Sequence, residues 1–235
     1  MLTKLIADYS FEEIVAIEES DRQFLALRSA WELIKNRDFG DVDNKVVQEV
    51  FLRAVIYNAL ISYQIAGSGE LRWEEFAEKL KSDFDILLLD FIQGKASFDR
   101  WYNLMITSKY NKRLYNIKVA RLKKLSQFSL KSMDLYHDDM VGLWQDLGQA
   151  MSVPIWSKTL CFAVKMFGYA ARVVYDKFVP YPLDVAIPVD SRIRKLFLIS
   201  YGALSDKEII AKTYELSKIS GISSLHLDSL FWIKR

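Results

Sequence analysis

The chain has 235 residues, 51% hydrophobic and 26% charged, long enough to bury a real core and too evenly mixed for a disordered tail. One cysteine, Cys161, and two histidines, His137 and His226, exclude a disulfide framework and a four-cysteine iron–sulfur cluster and argue against a Cys/His zinc site. The net charge is only +2; with no apolar run near the ~20 residues of a membrane span and no secretory start at Met1, the expectation is a soluble, cytoplasmic protein without metal or cofactor.

Helical periodicity dominates from residue 23 onward. Phe24, Leu25, Leu27, Trp31 and Ile34 fall on one face of a helix over 23–35. Asp43 stands as the cap of a long helix through Val46, Val50, Phe51, Ala54, Tyr57, Ile61 and Ile65, which stops at Gly67-Ser68-Gly69. Further helices are predicted over 73–80, 84–92, 98–106, 114–130, 138–150, 157–175, 191–200, 205–217 and 224–233. Pro154, Pro180, Pro182 and Pro188 all lie between helices or at their starts, where a missing N–H costs least. No alternating strand pattern, internal repeat or low-complexity linker interrupts the series. The class is all-α, about ten helices, with no clean domain boundary.

Charge is unevenly placed. Between Arg100 and Met133 stand nine basic residues (Arg100, Lys109, Lys112, Arg113, Lys118, Arg121, Lys123, Lys124, Lys131) and no acidic one, so the rest of the chain carries 23 basic against 30 acidic side chains. Trp101, Tyr102, Tyr110 and Tyr115 interleave with them. Cations for phosphates and rings for unstacked bases suit a nucleic acid, although a basic solvated helix face has the same composition. Lys118, Arg121 and Lys124 share roughly one helix face and are expected to lie on a DNA track.

The stretch 147–201 carries the chemistry. One helix ends near Met151, Ser152-Val153-Pro154 makes a tight connection, and the next helix starts at once with Lys158. A helix–hairpin–helix of this kind, about 146–173, presents backbone N–H groups that hold a DNA phosphate without reading sequence. Farther along, Ala186-Ile187-Pro188-Val189-Asp190 places a carboxylate to cap another helix.

With these residues the chain resembles a known family. Ile155-Trp156-Ser157-Lys158-Thr159 followed by Ile187-Pro188-Val189-Asp190 resembles the lysine-bearing hairpin and the carboxylate motif of the helix–hairpin–helix DNA glycosylase superfamily. The 32-residue separation of Lys158 and Asp190, the Phe-Ala-Val-Lys-Met run at 162–166 and the ending Asp228-Ser-Leu-Phe-Trp232 are similar to the archaeal 8-oxoguanine DNA glycosylases. The resemblance implies a helix–hairpin–helix glycosylase fold as one unit over 1–235, with two helical subdomains flanking a cleft. It also implies an enzyme that excises 8-oxoguanine from DNA and then breaks the strand as a lyase; a monomer is expected. The superfamily's hairpin is usually glycine-rich; Val153-Pro154-Ile155-Trp156 departs from that pattern.

The residue types suit the chemistry on their own terms. Breaking an N-glycosidic bond develops positive charge on the sugar, which a carboxylate such as Asp190 stabilises. A neutral lysine amine attacks C1′ and forms a Schiff base, from which β-elimination follows. At Lys158 the helix start and the like charge of Lys165 on the same face both favour the neutral amine, as would burial by Trp156 and Phe162. Lys165 is the competing nucleophile and a candidate contact to the base. A flipped base needs flat walls: Phe162, one turn after Lys158, and Trp232 at the chain's end are the candidates, and the resemblance adds Trp73. By resemblance Gln23 accepts from the N7–H that distinguishes 8-oxoguanine from guanine, while Asp228 accepts from its N1–H or amino group. Two alternatives stand beside this: a glycosylase of the same scaffold for another oxidised base, and a helical nucleic-acid-binding protein without catalysis.

Overall fold

The computed structural model describes residues 1–94, 103 and 107–233. Among these, regular structure is helical throughout: α1 (Leu2–Ala7), α2 (Phe11–Ser20), α3 (Arg22–Lys35), α4 (Asn44–Ile61), α5 (Gly69–Ile92), α6 (Tyr115–Ser126), α7 (Met133–Asp138), α8 (Met140–Met151), α9 (Lys158–Tyr175), α10 (Ser191–Tyr201), α11 (Asp206–Ser220) and α12 (Ser224–Ile233). The all-α expectation holds. The helix predicted over 98–106, with Arg100, Trp101 and Tyr102, falls almost wholly outside the described residues.

The boundaries differ from expectation for local reasons. Helices α1 and α2 precede the first predicted helix; the reciprocal capping box of Ser10 and Glu13 is the signal that marks α2. Two predicted helices over 73–80 and 84–92 are one continuous α5, because Lys81-Ser82-Asp83 contains no breaker and simply turns polar side chains outward. Helix α4 ends at Ile61, earlier than predicted: Ser62 Oγ donates back to Asn58 O, and Gln64 takes a left-handed φ of 46°. The freed segment 62–67 is tied down where the Ala66 N–H donates to Tyr110 O at 2.8 Å.

Two apolar cores result. The larger is built from α3 to α9; α9 is buried on nearly every face and packs on α4 and α3. The smaller joins the two ends of the chain, with Leu2, Ile6 and Ile14 meeting Ile193, Phe197, Ile209, Leu216, Leu227 and Leu230. Between them runs a buried polar seam. Glu18 of α2, fully buried, accepts from Arg172 Nη2 at 2.8 Å and contacts His226 Nδ1 at 2.8 Å. His226 Nε2 accepts the Tyr181 N–H, so Nδ1 carries the proton that goes to Glu18. Glu18 and Arg172 neutralise each other, which lowers the desolvation cost of burying them, although Arg172 Nε makes no hydrogen bond. Because α12 carries both His226 and Asp228, the seam also fixes the helix that lines the cleft.

Candidate active site

A cleft of about 820 Å³, counting its open mouth, lies where the two cores face each other. Helix α9 contributes Lys158, Phe162 and Lys165, residues 0, 4 and 7 along one face. Helix α10 and the segment before it contribute Pro188, Asp190 and Arg192; α12 contributes Asp228 and Trp232; Gln23 comes from the start of α3. With residues of segment 62–69, five separate stretches therefore meet at one place.

At its mouth, Lys158 Nζ stands 3.9 Å from Asp190 Oδ2. The lysine is half exposed and the aspartate mostly covered. Asp190 has a second task. Its Oδ1 accepts the N–H groups of Arg192 and Ile193, each at 2.9 Å, capping α10. One oxygen is thus held by the helix start and the other is aimed at the amine. On the other side Lys158 opens α9, whose unpaired N–H groups carry positive potential.

Deeper in, Lys165 Nζ and Asp228 Oδ2 form a buried pair at 2.5 Å. Burial works against the Lys165 charge, and the carboxylates of Asp228, Asp21 and Glu18 overcome it, so its amine is raised above the ordinary value. The expected like-charge pressure of Lys165 on Lys158 is therefore offset by Asp228, and Trp156, exposed, does not bury Lys158. Burial pushes the Cys161 thiol up to about 12, so no thiolate competes nearby. Asp228→Ala should destabilise the fold by about 3–5 kcal/mol, because the Lys165 ammonium would be left in a dry site. Lys165→Met with Asp228→Leu should recover most of that loss. Denaturant melts of the three proteins check this, and a single variant within about 1 kcal/mol of wild type would show that Asp21 and Glu18 suffice.

Phe162 and Trp232 both line the cleft. Gln23 is buried at the α3 start, and at Gly69 a Cβ would stand 3.0 Å from its Nε2, so glycine there leaves room for the amide. Trp73 is different. It is fully buried, contributes nothing to the lining, and backs Phe162 edge-on at a centroid distance of 6.2 Å. The basic segment also differs from expectation. Lys118 is fully buried, donates to Asn111 Oδ1 at 2.6 Å and is pushed down to about 8 by burial and by the charge of Arg72. Arg121 donates to Leu60 O and Thr159 Oγ1, and Lys124 to Met151 O. Lys118 and Arg121 thus brace the helical body rather than lie on a DNA track; among the described residues Lys109, Lys112, Arg113, Lys123, Lys124 and Lys131 are the exposed cations of the segment.

Sequence reasoning missed the segment 62–67, with Ser62, Tyr63, Gln64, Ile65 and Gly67 in the lining, and missed Asp21 and Arg192. Asp21 caps α3 through the Gln23 N–H, which places it beside a predicted site residue. Arg192 lays its guanidinium over the Trp232 ring at 3.3 Å. Nothing in the local sequence announced that contact.

By fold the chain is of one class with a solved all-helical DNA glycosylase. It superposes on the crystal structure of Pyrobaculum aerophilum AGOG, an 8-oxoguanine DNA glycosylase complexed with 8-oxoguanosine, with a TM-score of 0.77 at 22% identity, covering 98% of this chain and 84% of that one. Residues 3–234 match the AGOG family, described as N-glycosylase/DNA lyase, and the chain belongs to that family. Among its relatives are the N-glycosylase/DNA lyases of Methanococcus maripaludis, 36% identical over 92% of this chain and 78% of the relative, and of Thermococcus kodakarensis, 33% identical over 92% and 75%. The chain is thus an enzyme that acts on DNA, which removes the alternative of a binding protein without catalysis.

Proposed function

We propose that the chain excises 8-oxoguanine from DNA and cleaves the resulting abasic strand, with Lys158 as nucleophile and Asp190 as its carboxylate partner. The observation that carries this is the amine–carboxylate contact at 3.9 Å, set at the mouth of a cleft walled by Phe162 and Trp232. The Lys158 amine forms a bond to C1′ as the N-glycosidic bond breaks, and the departing base keeps the electron pair and takes up a proton. Asp190 stabilises the positive charge that spreads over the sugar. The C1′–ring-oxygen bond then opens to give the Schiff base. Loss of a C2′ proton expels the 3′ phosphate.

The base lies between Phe162 and Trp232, with Gln23 accepting its N7–H; Trp73 supports Phe162 from behind. Asp228, one oxygen already on Lys165, offers the other to the N1–H or amino group, and Lys165 is the cation that orients this carboxylate. The Lys165 amine is held charged by three carboxylates, which favours Lys158 as nucleophile. All these residues come from one chain, which supports a monomer working as one unit over 1–235, with its hairpin about 146–173.

Borohydride trapping on duplexes carrying 8-oxoguanine, an oxidised pyrimidine or an undamaged guanine tests the substrate directly: covalent complex should form on the first and be at background on the last. Preference for the pyrimidine lesion would move the chain to another substrate on the same scaffold. Trp232→Ala should weaken binding to 8-oxoguanine DNA roughly ten- to a hundredfold, the worth of one stacked base, and leave undamaged duplex nearly unaffected. Equal loss on both DNAs with a lowered melting temperature would make Trp232 a packing residue.

A further inference from the structure

Trp156 stands at the tip of the α8–α9 hairpin, two residues before Lys158, and is 47% exposed. Its aim follows from its neighbours. Val153 and Ile155 pack on the larger core, and Ile155 fits because position 148 is glycine: a Cβ there would stand 2.5 Å from Ile155 Cγ2. With Val153 and Ile155 turned inward, the alternate residues Pro154 and Trp156 are turned outward. The indole is thus held in water by a well-packed hairpin, in the position of a side chain that waits for a partner.

A second groove begins where the catalytic cleft ends. Trp156, Ser157, Ser191, Arg194 and Lys207 line it, together with Lys158 and Asp190, which belong to both. The amine–carboxylate pair therefore stands between cleft and groove, with Trp156 on the groove side. Arg194 is held by a bidentate pair with Asp206, 2.7 Å at each contact. Lys207 is exposed, has no carboxylate within 4.0 Å among the described residues, and sets its ammonium 6.0 Å over the Trp156 ring. The groove therefore offers an exposed aromatic ring and a cation that no carboxylate holds among the described residues.

The hairpin backbone offers less. Pro154 has no N–H, the Ser157 N–H is given to Pro154 O at 2.9 Å, and the Val153 N–H to Gly148 O at 3.4 Å. Of the hairpin's N–H groups, those of Val153 and Ser157 are thus used within the hairpin itself. An indole beside a lysine is what a protein uses to hold an unstacked base and its phosphate without regard to sequence.

We propose that Trp156 stacks on a second, unstacked nucleobase adjacent to or opposite the excised nucleotide, with Lys207 meeting its phosphate. The inference rests on DNA crossing the Lys158–Asp190 mouth, and not on which lesion is excised. A duplex containing a tetrahydrofuran abasic analogue, which cannot form a Schiff base, tests it with 2-aminopurine placed in turn 5′, 3′ and opposite to the analogue. Trp156→Ala should weaken binding about ten- to a hundredfold and alter the 2-aminopurine signal at one of the three positions. Trp156→Phe should bind within about threefold of wild type, and both melting temperatures should stay unchanged. Binding of Trp156→Ala within twofold of wild type would overturn the proposal, as would a loss of affinity with no change of signal at any position. If Trp156→Ala lowers the melting temperature, Trp156→Phe carries the same comparison, and an unaltered signal relative to a Trp156→Leu control would again overturn it. Because this duplex holds no damaged base, a failure of 8-oxoguanine as substrate leaves the Trp156 contact standing, and the reverse is equally possible.

Discussion

Lys158→Gln is expected to reduce borohydride trapping and strand cleavage to background while changing affinity for damaged DNA by less than about threefold. The amine is the atom that bonds to C1′, and an amide in its place has no free pair basic enough to do so. The fold should tolerate the change. Lys158 is half exposed and its contact to Asp190 is 3.9 Å long, and Asp190 keeps the two N–H donors of the helix it caps. Substitutions of this kind move stability by about 0.5 kcal/mol or less. Trapping at the wild-type level in this variant would pass the nucleophile's role to Lys165. That outcome would require the Lys165 amine to leave Asp228 at 2.5 Å and give up its proton in the presence of three carboxylates.

Asp190→Asn should slow base release by roughly 10²–10⁴-fold in single-turnover experiments, the range for loss of a group that acts on charge or protons in the transition state. The asparagine oxygen still accepts from the Arg192 and Ile193 N–H groups, so the α10 cap survives and the melting temperature should hold. What disappears is the negative charge on the atom facing Lys158. Asp190→Ala removes both, and should cost a further ~1 kcal/mol of stability, about 2–4 °C in a chain of this size. The pair of variants separates the two tasks of one side chain. A single-turnover rate for Asp190→Asn within twofold of wild type would leave Asp190 as a cap alone.

The exposed hairpin tryptophan and the buried Lys165–Asp228 pair show different kinds of legibility. Trp156 was visible as a departure from a glycine-rich pattern, but its outward aim depends on Gly148 admitting Ile155, a contact between two helices. Lys165 and Asp228 are each legible as site residues, yet their pairing spans 63 positions and no spacing rule reaches that far. Trp73, which resemblance alone adds to the walls, lies behind Phe162 rather than in the lining. The expectation for the Lys118 face rests on charge, and charge alone does not say whether a lysine is solvated.

What the sequence determined by itself was short-range: helix faces, caps and stops, the hairpin that sets Lys158 at a helix start, and the Asp190 cap. Periodicity and capping act over three or four residues, so a single chain writes them out directly. Tertiary structure alone decided which faces meet. It brought segment 62–67 into the cleft, turned Lys118 and Arg121 inward, laid Arg192 over Trp232 and tied α12 to α2 through Glu18 and His226. Those outcomes depend on which apolar surfaces bury against each other and which charges find partners in the process. Both are properties of the packed whole rather than of any stretch of it.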